Sequence, residues 1–213
     1  MQTLFLEAKS KIDITDAVVS SLKFLPKRVG IISTSQHMHS LKLAKDILKK
    51  HKKTAVIAGQ VLGCNAKNAK RIANKVDAFL FIGSGEFHPI RIQLETKLPV
   101  ILADPFSGNA RKLNNQEVEK VERQQKGALL KFLASKNIGI IVSAKPGQNK
   151  LKQAFELKAK LKDKKSYIFI ADTINESEFE NFPFIECWVN TACPRFADEK
   201  TGVVNYETIQ EII

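Results

Sequence analysis

The fold is decided by RVGIIS at residues 28–33, a continuous apolar run that leads into a polar loop, Thr34 to His37. A short run of this kind, bounded by polar residues, is typical of a strand buried inside a parallel sheet. The pattern recurs as IGIIVS at residues 138–143, again followed by a polar loop and an amphipathic segment. Two such beginnings in one chain predict two similar α/β units.

The rest of the chain alternates between strand-like and helix-like segments. Apolar residues at helical spacing predict helices at 13–25, 40–50, 66–76, 89–95, 114–135, 151–161 and 176–181. Short apolar runs predict further strands at 4–6, 54–58, 77–82, 99–103, 167–171 and 185–189. This alternation predicts an α/β fold with two similar units, each a mainly parallel sheet flanked by helices on both faces. We place the first unit at residues 1–135 and the second at 136–213.

Composition limits the classes of function. The 213 residues carry a net charge of +12, mostly as lysine on helical stretches without interleaved aromatic residues, so direct nucleic-acid binding is not expected. No apolar run approaches the roughly 20 residues that a membrane span needs. The three cysteines, Cys64, Cys187 and Cys193, are odd in number and widely spread, which argues against a secreted disulfide scaffold. This usage favours a reducing compartment and predicts a cytoplasmic protein.

Two of these cysteines follow predicted strands. Ligands of open α/β sheets bind at the carboxyl ends of the strands, where both Cys64 and Cys193 are expected to lie. We expect the two cysteines to occupy matching loops, each after the third strand of its half. A lone cysteine is more often a small buried hydrophobe than a ligand, and we interpret Cys187, inside a strand, in that way.

Other loops at the same edges offer polar groups. Gly83-Ser84-Gly85 exposes backbone N–H groups that suit a phosphate, a carboxylate or close packing. His88 could act as a base, a ligand or a helix cap, and Lys145 could bind a carboxylate or form a surface ion pair. The sequence contains no Walker loop, GxSxG elbow, HExxH or CxxC motif.

Taken together, four loop motifs resemble the archaeal-type diphthamide synthase family, 2-(3-amino-3-carboxypropyl)histidine synthase. The motifs are GQVLGCN at 59–65, GSGEFHP at 83–89, SAKPGQ at 143–148 and NTACPR at 190–195. The similarity runs almost end to end and includes LEAKS at 6–10 and the pair Gln36-His37.

The resemblance implies a function and a cofactor. Family members have three similar α/β domains, and each domain gives one cysteine to a single [4Fe–4S] cluster that also binds S-adenosylmethionine. The reduced cluster yields a 3-amino-3-carboxypropyl radical, which adds to a histidine of translation elongation factor 2. By motif match, Cys64 and Cys193 would be iron ligands, and no catalytic residue is assigned. We place the S-adenosylmethionine pocket at Gln36, Gly83, Ser84, Gly85, His88 and Lys145.

The sequence departs from the family in lacking a counterpart of the first domain and its cysteine. We therefore expect a split enzyme, completed by a separate chain or by a homo-oligomer. One alternative is a non-catalytic accessory subunit of that enzyme. Another is a small-molecule or nucleotide-binding α/β protein whose cysteines are structural.

Overall fold

The computed structural model describes residues 4, 8–62, 65–198, 202–210 and 212–213, so the strand predicted at 4–6 falls largely outside the described residues. The chain divides into two compact units, Met1–Val118 and Glu119–Ile213. Among the helices in the described part of the chain, none combines the length and the hydropathy that crossing a bilayer requires.

The first unit is built on a sheet in which the apolar run that predicted the fold forms an inner strand. Its strands are β1 (Arg28–Ser33), β2 (Thr54–Gln60), β3 (Ala78–Ile82), β4 (Val100–Asp104) and β5 (Asn109–Lys112), in the order β2-β1-β3-β4-β5. All neighbouring strands are parallel except β4 and β5, which are antiparallel.

Helices cover both faces of this sheet because successive strand residues point to opposite sides. On one face, α1 (Thr15–Ser21) and α2 (Leu41–Lys50) pack against one set of strand residues. On the other face, α3 (Lys67–Ile72), α4 (Phe87–Thr96) and Val118 pack against the alternate set. Two separate cores therefore lie within the first unit.

The second unit repeats this arrangement. Its strands are β6 (Asn137–Ser143), β7 (Lys165–Ala171), β8 (Cys187–Asn190) and β9 (Val203–Asn205), in the order β7-β6-β8-β9, and all of them are parallel. One face is covered by α5 (Asn115–Ala134), α6 (Leu151–Lys160) and α8 (Tyr206–Ile209). The other is covered by a 3-10 helix (Glu176–Asn181) and α7 (Arg195–Asp198). The predicted fold class is confirmed.

The two sheets have one packing feature in common, a glycine that faces an aromatic ring on the neighbouring strand. Gly30 in β1 pairs in register with Phe79 in β3, and a Cβ atom on Gly30 would lie 2.6 Å from that ring. Gly139 in β6 pairs in register with Trp188 in β8, and a Cβ there would lie 2.4 Å from the indole. Strands β1 and β6 thus each use glycine to let an aromatic ring of the neighbouring strand cover them.

The structure adds short elements that the sequence did not predict and places the long helix differently. The additions are β5, β9, α7 and α8, each with only three or four residues. A 3-10 helix, Ser35–Ser40, also forms where the sequence analysis expected a polar loop. Helix α5 contributes Ala128 and Phe132 to the core of the second sheet. Along the chain, the division between the two compact units falls after Val118, near the beginning of α5, whereas the sequence prediction placed it near residue 135.

Candidate functional site

The loop that carries Cys193 leaves the carboxyl end of β8 in the second unit, as predicted. Cys193 is half-buried, while Thr191 and Ala192 before it are buried. Thr191 fixes the beginning of the loop because both its backbone N–H (3.1 Å) and its hydroxyl (2.8 Å) donate to the carbonyl of Ile141 in β6. The thiol therefore sits on an anchored loop at a sheet edge, where it can meet a ligand.

Two buried asparagines fasten the remainder of this loop. The side-chain amide of Asn190, at the end of β8, donates to the carbonyl of Cys193 (2.9 Å) and to Oδ1 of Asn205 (2.8 Å). Its own Oδ1 accepts from the N–H of Ala192 at 3.0 Å. Asn205, at the end of β9, donates to the carbonyl of Pro194 at 3.0 Å. The sequence analysis did not identify Asn205, because its strand was not predicted.

Cys187 differs from Cys193 in its burial. Its side chain is fully buried in the core of the second sheet. Burial raises the pKa of the Cys187 thiol to about 11, although Lys131 and Lys164 act in the opposite direction. A thiolate is the form that binds metals, so Cys187 is a core residue, as the sequence indicated.

Cys64, the other predicted iron ligand, lies outside the described residues together with Gly63. The residues on either side, Leu62 and Asn65, form an isolated antiparallel bridge. The expectation that the two cysteines occupy matching loops is wrong. Cys64 comes after β2, whose counterpart is β7, whereas Cys193 comes after β8, whose counterpart is β3.

The Gly83-Ser84-Gly85 loop follows β3 at the corresponding edge of the first unit. Gly85 has a φ of +78°, a conformation that favours glycine, and a Cβ on Gly83 would lie 3.0 Å from the ring of Phe81. The two glycines line a cavity of about 210 Å³, whose other walls include Asp104 and the ion pair of Glu86 with Arg111. This volume is below the roughly 300–1,000 Å³ of typical ligand pockets, so the cavity by itself would hold only part of a larger ligand.

The other residues assigned to the S-adenosylmethionine pocket are distributed over both units. Gln36 and Ser84 are exposed at the edge of the first sheet. His88, in α4, is half-buried and stacks on Phe81 with ring centroids 5.9 Å apart. Lys145 is exposed in the loop after β6, in the second unit. The assignment of these residues to one pocket stays a prediction.

His37 is a further polar residue at the edge of the first sheet where the strands have their carboxyl ends. It is 1% exposed, and no described residue offers a hydrogen-bond partner to its Nδ1. Burial and the neighbouring His39 lower its pKa, while the charge of Asp104 acts in the opposite direction. The imidazole is therefore neutral near pH 7, with a buried nitrogen that can meet a water or a ligand.

An open cleft on one face of the second unit was not expected from the sequence. Its volume is about 970 Å³, and its lining combines aromatic rings with charged side chains. The aromatic residues are Phe179, Trp188 and Phe196, and the charged ones are Lys131, Glu176, Glu180 and Glu186. Stacking of Phe179 on Trp188, with centroids 4.2 Å apart, makes the aromatic part of this surface continuous.

No group of three or more metal-binding side chains occurs within the residues that the structure describes. Of the two cysteines in the described residues, Cys187 is buried in the core, so Cys193, half-buried at the edge of a parallel sheet, is the thiol that can meet a soft metal. These features define an α/β protein of the open parallel-sheet class, with its candidate site at the strand ends.

Comparison with known proteins identifies the family. A family model described as "Putative diphthamide synthesis protein" matches residues 1–200, and the chain belongs to this diphthamide synthesis family. It is 31% identical over 207 residues to 2-(3-amino-3-carboxypropyl)histidine synthase of Pyrococcus horikoshii, covering 91% of this chain and 58% of the relative. It is 28% identical over 187 residues to subunit 1 of the Caenorhabditis elegans synthase, covering 82% and 46%.

Solved structures agree with this assignment. A crystal structure of Dph2 from P. horikoshii superimposes with a TM-score of 0.82 at 27% identity, covering 95% of this chain and 63% of that one. A second structure of the same protein, with a 4Fe-4S cluster, gives a TM-score of 0.80. The resemblance inferred from the four loop motifs is confirmed. The chain spans about half the length of the curated relatives it matches.

Proposed function

We propose that this chain takes part in the first step of diphthamide biosynthesis. The reaction transfers the 3-amino-3-carboxypropyl group of S-adenosylmethionine to a histidine of translation elongation factor 2 in the cytoplasm. Membership of the family and the names of the relatives, which are histidine synthases of this kind, support the reaction type.

The observation that carries the proposal is the placement of Cys193. A thiol binds iron as the thiolate, so it must be accessible, and its loop must hold it in place. Cys193 meets both conditions, because it is half-buried on a loop anchored to β6. Its donor chemistry fits a [4Fe–4S] cluster, which the related Dph2 structure contains. Cys187 does not fit, because it is fully buried and its thiol keeps its proton.

In the proposed site, Cys193 and Cys64 bind the cluster, and the residues of the two sheet edges bind S-adenosylmethionine. When bound, the cluster supplies the electron that cleaves the bond between the sulfonium sulfur and the γ-carbon. The glycine loop 83–85 presents backbone donors to the substrate, and Lys145 is suited to its carboxylate. Gln36 and His88 complete the pocket in this proposal.

In this proposal a partner completes the cluster site. The sequence offers two cysteines that match the family's ligand motifs, and three thiolates are needed to hold a four-iron cluster that keeps one iron open. We propose that a separate chain supplies the third cysteine, or that copies of this chain assemble into a homo-oligomer. Several relatives are named as subunit 1 of the synthase, which supports a division of the enzyme between chains.

The test is anaerobic reconstitution of the full chain with iron and sulfide, with and without a candidate partner. We expect a visible iron–sulfur absorption band and a reduced-cluster electron paramagnetic resonance signal only when the partner is present. Cys193→Ala and Cys64→Ala should each abolish both signals. Cys187→Ala is the matched control and should retain them, because this side chain lies in the core. In the active complex, elongation factor 2 should gain the mass of one 3-amino-3-carboxypropyl group.

Two outcomes would contradict the proposal in different ways. A complete cluster that forms in the isolated chain and survives Cys64→Ala would exclude the split ligand set. A complex that modifies the elongation factor equally well with Cys193→Ala would make this chain an accessory subunit rather than a contributor of ligands.

A further inference from the structure

We propose that Asn190 and Asn205 are positioning residues whose buried amides hold the Cys193–Pro194 backbone and so fix the Cys193 thiol at the sheet edge. The inference rests on the proposed function for one point only, the identity of the group that the thiol binds. The fixing of the loop is a property of this chain alone and can be tested without that group.

The first support is the number of bonds at two successive carbonyls. The carbonyl of Cys193 accepts from the Asn190 amide at 2.9 Å and from the N–H of Phe196 at 3.0 Å. The carbonyl of Pro194 accepts from the Asn205 amide at 3.0 Å and from the N–H of Ala197 at 3.1 Å. Two donors at each carbonyl restrict rotation of both peptide planes.

The covalent structure restricts the same residue further. Pro194 has its φ fixed by the ring, and the ring disfavours a helical backbone at Cys193 before it. On the other side, Oδ1 of Asn190 accepts from the N–H of Ala192 at 3.0 Å. The backbone of Cys193 is therefore held from both directions, while its side chain stays half-buried and available.

The second support is an internal comparison between the two units. In the second sheet Trp188 pairs with Val203, as Phe79 pairs with Val100 in the first. Two residues further along each pair of strands, Asn190 pairs with Asn205 and Phe81 pairs with Leu102. The two asparagines are therefore the counterparts of Phe81 and Leu102. All four side chains are buried.

At these positions the first unit has an apolar pair and the second has two amides, although the strand order is the same. Burying an amide is less favourable than burying an apolar side chain of similar size. The fold itself does not require the two asparagines, so their benefit lies in the loop that they hold.

Backbone hydrogen bonds of this kind, from Asn190 and Asn205 to the loop, suit a residue that binds a metal. A site functions when its ligands are held by surrounding hydrogen bonds in the geometry that the metal needs. The asparagines bind the backbone rather than the thiol, so they orient Cys193 without competing for its sulfur. In the first unit, the loop after β3 contains Gly83 and Gly85 in place of a cysteine, and its strand ends carry no amide pair.

The test is the double variant Asn190→Leu/Asn205→Leu in the full chain. Leucine has the branching of asparagine and gives these positions an apolar pair, as in the first unit, so the variant should fold, with a melting temperature lowered by several degrees because the N–H of Ala192 loses its acceptor. The amides of Ala192, Phe196 and Ala197 should exchange with deuterium about tenfold faster or more, because the bonds that hold the loop are lost. Ser135→Ala is the matched control: it removes a part-buried side-chain hydrogen bond to the carbonyl of Lys131 in the same unit, and this bond involves none of the residues 190–197.

Iron retention gives the second measurement. In the reconstituted complex, the double variant should lose iron to a chelator several-fold faster than the wild type, and Ser135→Ala should not. If the double variant does not fold, Asn205→Leu alone keeps the bonds of Asn190 to Cys193 and Ala192, and a smaller rise in exchange is expected at Ala197.

The outcomes separate this inference from the proposed function. Unchanged deuterium exchange in the loop of the folded variants would overturn the inference. Failure of the wild-type complex to take up iron would overturn the proposed function and leave the exchange result standing. Faster exchange with unchanged iron retention would also overturn the inference. The hydrogen bonds of Asn190 and Asn205 would then order the loop without affecting how Cys193 binds iron.

Discussion

At the scale of single residues, Cys187 and Cys193 differ in burial and should differ in reactivity. With a pKa of about 11, Cys187 has about one thiolate per thousand molecules at pH 8, and its sulfur is also inaccessible. We expect iodoacetamide to modify Cys193 in the native chain at least about 100-fold faster than Cys187. Peptide mass spectrometry measures both rates, and the difference should vanish in urea. Equal rates in the native protein would contradict the assignment of Cys187 to the core.

The hydrogen bonds of Glu186 predict that the free energy of unfolding depends on pH. Its carboxylate accepts from the backbone N–H of Asn137 at 2.8 Å and from that of Lys136, and these bonds lower its pKa. Because the folded-state pKa is below the unfolded one, the stabilisation is present above about pH 4.3 and is lost as the pH falls through the folded-state pKa. Glu186→Gln should therefore lower the urea midpoint at pH 7, and the difference from the wild type should shrink at pH 3.

A suitable control for this measurement is Glu156→Gln. The carboxylate of Glu156 lies 3.9 Å from the ammonium of Lys152 on an exposed part of α6, and exposed pairs of this kind contribute little. Its urea midpoint should match that of the wild type at both pH values. A shift as large as that of Glu186→Gln would mean that the cap on Lys136 and Asn137 is not the cause.

At the scale of elements, the glycines in the inner strands β1 and β6 are required by their aromatic neighbours. A Cβ on Gly139 would lie 2.4 Å from the Trp188 ring and 3.0 Å from Ile185, so Gly139→Ala should destabilise the second unit by about 1–3 kcal/mol. Gly30→Ala should do the same in the first unit, where the ring of Phe79 is 2.6 Å away. Urea denaturation measures both changes.

Gly127 is a control of opposite sign. It lies in the interior of α5, and a Cβ there would meet nothing within 4 Å. Gly127→Ala should stabilise the protein by about 0.5–1 kcal/mol, because alanine loses less conformational entropy in a helix. Equal destabilisation by Gly127→Ala and Gly139→Ala would show that crowding of Trp188 is not the cause of the destabilisation by Gly139→Ala.

The elements also show which parts of the fold the sequence could predict. Long apolar runs such as β1 and β6 were recognisable because both of their faces are buried. β5 was missed because it is a short, mostly exposed edge strand with no apolar alternation. β9 was missed because it has only three residues. The site prediction had the same limit. Cys193 followed a recognisable strand, but the hydrogen bonds that Asn205 makes to Asn190 and Pro194 depend on the register of β8 against β9, which local sequence does not encode.

At the scale of the whole molecule, each unit has its own hydrophobic cores. The core residues of the second sheet all lie after Val118, and they include Ala128 and Phe132 of α5. A fragment comprising Glu119–Ile213 should therefore fold by itself and unfold cooperatively in urea. A fragment beginning at residue 136 lacks the α5 contacts and should be largely unfolded, because removing a buried phenylalanine side chain alone costs about 3–5 kcal/mol.

That loss decides the outcome because small domains are marginally stable. At about 0.05–0.15 kcal/mol per residue, a fragment of this size has little free energy of unfolding to spare. Phe132→Ala in the longer fragment should reproduce much of the effect of deleting α5, whereas Leu130→Ala, at a position that is 67% exposed, should not. A stable fragment beginning at residue 136 would instead place the junction between the units after α5. The long helix would then be a connection between the two sheets rather than part of the second core.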